Sequence, residues 1–139
     1  MFPRILVPTD LTERVHKALD LALALSAPDG ARVTLLHVIE TFRGLEFDEM
    51  KPHYQRFEKK AQGIMAAARA RLPKTRADVV QEVVYGDRAE EIVRFASAHQ
   101  VDLIVLASHR VNPAVVGRDW GTISYKVGIL AQCPVLLVK

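Results

Sequence analysis

Asp10 closes the segment ILVPTD, a carboxylate set just past a short apolar run, where a buried strand would give way to a loop. A second chemical group follows another apolar run, VDLIVLA: Ala107, Ser108, His109 and Arg110, then a loop holding Pro113, Gly117, Arg118 and Trp120, then Gly121-Thr122. A hydroxyl, guanidinium groups, a glycine that lets a ligand approach the backbone, and the free N–H groups of a helix start are what an anion needs, phosphate above all. Each residue also has a plainer role. Asp10 can cap or turn the chain, His109 can bond within its loop, Arg118 can stay solvated, Gly117 can serve a turn, Gly121-Thr122 can simply open a helix, and Trp120 can pack. The signal lies in their falling together at the ends of two apolar runs.

Those runs need elements to position them. Ile5–Val7 predicts a buried strand between Pro3 and Pro8. Thr12 offers a helix cap with Glu13 in the first turn, and Val15, Leu19, Ala22 and Leu23 repeat at helical spacing up to about Pro28-Asp29-Gly30. Val33–Val38 is a second buried strand. Phe47, Met50, Tyr54, Phe57, Ala61, Ile64, Ala68 and Leu72 step by three or four, a helical stripe. Pro52 belongs near the start of that helix, because proline fits a first turn and disrupts an interior. Residues 41–51, with Phe42, Glu46, Phe47, Asp48 and Glu49, then form a loop that covers a site or meets a partner. Val79–Val84 is strand-like. Asp87 with Glu90 three residues on resembles a capping box, and Ile92, Val93, Phe95 and Ala96 give the next helix its apolar face. Val101–Leu106 is a fourth strand, Gly121–Ala131 a fourth helix and Pro134–Val138 a fifth strand.

Strands alternating with helices argue for an α/β fold with a parallel sheet covered on both faces. The runs ILV, VTLLHV and LIVLA carry apolar residues on both faces, as strands buried on both faces require. In an open doubly wound sheet, ligands bind beyond the carboxyl ends of the strands where the strand order reverses. If the first and fourth strands are neighbours there, Pro8-Thr9-Asp10 faces Ala107–Arg110 across a crevice.

Composition narrows the class. A length of 139 residues predicts one domain, 1–139, large enough for a real core. A net charge of +3 without a dense basic run gives no reason to expect nucleic acid. One cysteine, Cys133, excludes a disulfide within the chain and is read as a small buried hydrophobe. No run is long and apolar enough for a membrane span, and the N-terminal residues lack a secretory h-region, so the expected location is the cytoplasm.

The stretches ILVPTDLTERVHKALDLALALS, VTLLHVIE, VYGDRAEEIVRFASAHQVDLIVLASHR and GTISYKVGILAQCPVLLVK resemble the universal stress protein family over the whole chain. The resemblance implies an open doubly wound five-stranded parallel sheet of order 3-2-1-4-5, of the adenine nucleotide alpha hydrolase-like kind. It implies binding of an adenine nucleotide: ATP first, AMP or ADP as well, with Mg2+ accompanying ATP. Pro8, Thr9, Asp10 and the backbone around Val38 would hold the adenosine. Ala107, Ser108, His109, Arg110, Gly121 and Thr122 would surround the phosphates. Many members carry a G-x-x-G loop, about nine residues, then G-S/T. Here Ala107 and Arg110 replace the two glycines, and ten residues, 111–120, precede Gly121-Thr122. Alanine blocks a left-handed backbone, while arginine either crowds a phosphate or clamps it.

No catalytic residue is assigned. A Walker lysine, an obvious general base and paired metal-binding carboxylates are all lacking, so any ATP hydrolysis would be slow. A receiver domain would want an acceptor aspartate at the end of its third strand and a lysine after its fifth; Asp87 reads as a helix cap and Lys139 merely follows the last strand. The alternative function is a dimeric stress protein that binds no nucleotide and acts through protein contacts, its protein partner unknown. In either case PVLLV should form an apolar sheet edge, which pairing with a second copy would hide. His37 is expected to pack within the sheet.

Overall fold

The computed structural model describes residues 1–41, 47–108, 114 and 123–139. Five strands, β1 (Arg4–Pro8), β2 (Arg32–Glu40), β3 (Asp78–Gly86), β4 (Leu103–Ala107) and β5 (Val135–Val138), alternate with four helices, α1 (Val15–Leu25), α2 (Phe47–Ala70), α3 (Arg88–Ala98) and α4 (Ile123–Leu130). The sheet is parallel in the order β3-β2-β1-β4-β5. Ile5 of β1 pairs with Val33 of β2 on one side and Leu103 of β4 on the other.

The apolar runs are apolar because both faces are covered. Ile5, Val7, Val33, Leu35 and Val105 pack with Leu19 and Ala22 of α1 and Met65 and Ala68 of α2. Leu6, Leu36, Val38, Ile104 and Leu106 point the other way and pack with Ile92 and Ala96 of α3 and Val127 of α4. Alternate residues of one strand therefore serve two cores. β3 and β5 are the edges, and apart from Val138 their residues are only partly buried or exposed.

Several boundaries differ from the sequence expectation. Thr12 does not cap α1: the helix begins at Val15 after Arg14, and the Thr12 hydroxyl donates to Asp10 Oδ1 instead. Nor does α1 reach Pro28, since it ends at Leu25 with Ser26 extended. Pro52 does not open α2. The helix starts at Phe47, so residues 47–51 are helical rather than loop, while 42–46 lie outside the described residues. A proline so near the N-terminus forfeits one backbone bond, a cost that the long stripe behind it offsets. Of that stripe Tyr54, Ala61 and Ala68 are buried, Ile64 is only half-buried and Phe57 is exposed; Met65, next to Ile64, takes the buried place instead. β4 begins at Leu103, because the Val101 N–H still donates to Ala96 O and the Asp102 carboxylate accepts from Arg4 N. Asp87 caps α3 as expected, its side chain accepting from Glu90 N at 3.0 Å.

Candidate functional site

The neighbouring carboxyl ends of β1 and β4 open a cleft of about 170 Å³. Pro8, Thr9 and Asp10 line it from β1, Leu36 and Val38 from β2, and Leu106, Ala107 and Ser108 from β4. Val15, Arg88, Ile92, Ile123 and Ser124 of the surrounding helices complete it. Six expected site residues thus meet in one place: Pro8, Thr9, Asp10, Val38, Ala107 and Ser108. The other four, His109, Arg110, Gly121 and Thr122, lie outside the described residues, as do Gly117, Arg118 and Trp120.

The β1 end is held by a small network. Proline at position 8 ends the strand's donors, and the Thr9 N–H continues the ladder to Leu36 O at 2.8 Å. The Thr9 hydroxyl accepts from Leu11 N at 2.9 Å, and Asp10 Oδ1 accepts from the Thr12 N–H at 3.0 Å and its hydroxyl at 2.6 Å. These bonds hold Leu11 at φ 70°, a left-handed conformation that a branched side chain disfavours. Partial burial pushes the Asp10 carboxyl up, but the two Thr12 bonds and the charges of Arg14 and Arg88 outweigh it, and its pKa lies below the usual carboxylate value. Asp10 is an anion at neutral pH, so its free lone pairs accept from ligand hydroxyls or amines.

His37 stands behind the cleft, buried in β2 on the α1/α2 face. Its Nδ1 lies 2.8 Å from Thr9 O. A carbonyl only accepts, so Nδ1 carries the proton and donates. Burial lowers the His37 pKa, with Arg88 adding to the effect; the Thr9 bond and Asp10 oppose it without reversing it. A neutral imidazole therefore ties β2 to the turn that presents Asp10. The expected packing role is what the structure has, with a directional bond added.

At the β4 end the Ser108 N–H donates to Val138 O at 2.8 Å, fixing the residue beside β5. Its hydroxyl receives Ser124 Oγ at 3.2 Å and Lys139 Nζ at 3.4 Å. Two hydroxyls and an ammonium make this end of the cleft suited to an anion. Ser124, Lys139 and Arg88 were missed in the sequence. Ser124 is merely the second residue of α4, and Lys139 adjoins the cleft only because β5 lies beside β4. Arg88 carried one faint signal: a cation in the first turn of a helix, where the dipole favours an acid. Cys133 is half-buried, and burial together with Asp102 pushes its thiol pKa up, which keeps it protonated and unreactive. Among the described residues no group of three His, Cys, Asp or Glu is placed to hold a metal ion.

A family model described as the universal stress protein family matches residues 1–139. The chain belongs to the universal stress protein family. Universal stress protein YxiE of Bacillus subtilis is 31% identical over 149 residues, covering 100% of both chains. The solved structure of hypothetical protein MJ0577 is 29% identical, with a TM-score of 0.80 over 100% of this chain and 96% of that one. Two more distant members share the fold and are described with ligands. One, in complex with cAMP, is 17% identical with a TM-score of 0.67, over 99% of this chain and 97% of that one. The other, from Archaeoglobus fulgidus in complex with dAMP, is 19% identical with a TM-score of 0.64, over 98% and 97%. The family's five-stranded parallel sheet of order 3-2-1-4-5 is the one found here. No described helix is long and apolar enough to cross a membrane.

Proposed function

We propose that this chain is a single-domain cytoplasmic stress protein that binds an adenine nucleotide in the cleft between β1 and β4, ATP first and AMP or ADP with it, and acts by regulation rather than fast catalysis. One observation carries the reading: residues 98 positions apart in sequence, Thr9-Asp10 and Ala107-Ser108, line one crevice where the strand order reverses. The cAMP and dAMP complexes of family members support adenine nucleotides as a class. Asp10 accepts from ribose hydroxyls, the Val38 segment flanks the adenosine, and Ser108, Ser124 and Lys139 face the phosphates. His109, Arg110, Gly121 and Thr122 are proposed to complete the phosphate side. Mg2+ would arrive on the phosphates of ATP, since the groups around Ser108 are hydroxyls and an ammonium rather than carboxylates.

A ligand that binds only the folded chain stabilises it by about 2.7 kcal/mol at a hundred times its Kd. Thermal unfolding with ATP, AMP and GTP at millimolar concentration is expected to show a rise of several degrees with the adenine nucleotides. No rise with any of the three would sink the reading and favour the member that works through protein contacts alone.

The proposal includes a homodimer through β5. Leu136 and Leu137 of this edge strand are 37% and 39% exposed, and Tyr125 and Ile129 of α4 are 58% and 67% exposed. An apolar edge of this kind invites pairing with a second copy.

A further inference from the structure

We propose that Arg88 is the residue that holds the base of the bound nucleotide, laying its guanidinium flat against the ring; the inference rests on the nucleotide reading above. Arg88 lines the cleft beside Val38 and Ile92, on the β2 side of β1. The hydroxyls and ammonium suited to phosphate, at Ser108, Ser124 and Lys139, lie on the opposite side, at β4 and β5. A cation among apolar walls at the adenosine end meets a flat aromatic ring there, and a planar guanidinium suits such a ring better than an ammonium does.

The ion pair that Arg88 makes is loose. Its Nε is buried without a hydrogen-bond partner among the described residues. Glu40, the acid paired with it, is 3.7 Å away, too long for a hydrogen bond, and its side chain is 60% exposed against 34% for Arg88. Exposed pairs of this kind contribute little. Asp10 Oδ1 already accepts from Thr12. A buried donor left unmatched costs stability, and so does a cation in the first turn of α3. A base stacked on the guanidinium offsets these costs with a cation–π contact.

Calorimetric titration of the full chain with adenosine, AMP and ATP, for wild type, Arg88→Ala, Arg88→Lys and Glu40→Gln, tests this. Arg88→Ala should weaken all three ligands by a similar factor, roughly tenfold. Arg88→Lys should recover little of it, because the planar face is gone. Glu40→Gln should tighten binding by about twofold by releasing the guanidinium. Wild-type affinities in Arg88→Ala, or a loss that grows from adenosine to ATP, would overturn the inference while leaving the nucleotide site standing. A wild type that binds none of the three overturns both. Should Arg88→Ala unfold, the Glu40→Gln titration decides, and unchanged or weaker binding there counts against the proposal.

Discussion

His37 makes the cleft's scaffold sensitive to acid. Burial holds its pKa below 6.5 in the folded chain. On acidification the unfolded imidazole takes its proton first, so the unfolded state gains. Stability is fully present above pH 6.5 and declines as the pH falls below it, until the folded imidazole also titrates. His37→Gln keeps a donor for Thr9 O and removes the titration. Its melting temperature should fall less than wild type between pH 7.5 and 5.5; parallel curves would show that His37 does not carry the effect. Asp10 acts in the same sense at lower pH, its stabilising bonds present above pH 3.8 and lost as its depressed folded pKa is passed. Asp10 was legible in the sequence because an acid at the end of an apolar run has few places to go. Its bonds to Thr12 were not, since the same Thr could equally have capped α1. Arg88 was barely legible for a different reason: only the three-dimensional path of β3 into α3 brings it into the cleft that Val38 lines.

The elements that carry these residues were largely legible, because burial on both faces writes itself as unbroken apolar runs. Their ends were less so. Pro52 suggested a helix start, yet α2 begins one turn earlier, where the buried face of Tyr54, Ala61, Met65 and Ala68 decides the matter through packing; the sequence stripe places Ile64 there instead of Met65. The Asp87 cap was readable, and its removal should matter: Asp87→Ala should cost about 1 kcal/mol in denaturant unfolding. Gly86 just before it has φ +147°, and a Cβ there would meet Glu91 Cγ at 2.7 Å. Gly86→Ala should cost 1 kcal/mol or more, about the scale of a strained backbone position, and should also disturb Arg88 two residues on. A variant as stable as wild type would mean the β3–α3 junction yields easily. The Tyr85 hydroxyl of β3 bonds Glu58 of α2, while its ring meets Tyr54 of the same helix edge to face, with centroids 5.7 Å apart. Burial and that carboxylate push the Tyr85 pKa up to about 12, so its hydroxyl stays a neutral donor throughout the physiological range.

At the scale of the molecule, periodicity alone left the strand order open; the resemblance supplied 3-2-1-4-5, and that order makes the cleft by setting β4 against β1. It also leaves β5 at an edge with Leu136 and Leu137 exposed. Leu136→Lys should shift a dimer toward monomer in light scattering at micromolar concentration, with the unliganded cleft unchanged. A variant that stays a tight dimer would move the interface elsewhere.

The central claim is that the crevice between β1 and β4 holds an adenine nucleotide. Equilibrium dialysis of the purified chain against ATP, with Asp10→Ala alongside, measures it directly. The account predicts one nucleotide per chain for wild type and a loss of roughly tenfold or more in affinity for the variant, which lacks a charged acceptor. Equal ATP retention by both proteins, or none by the wild type, would contradict it.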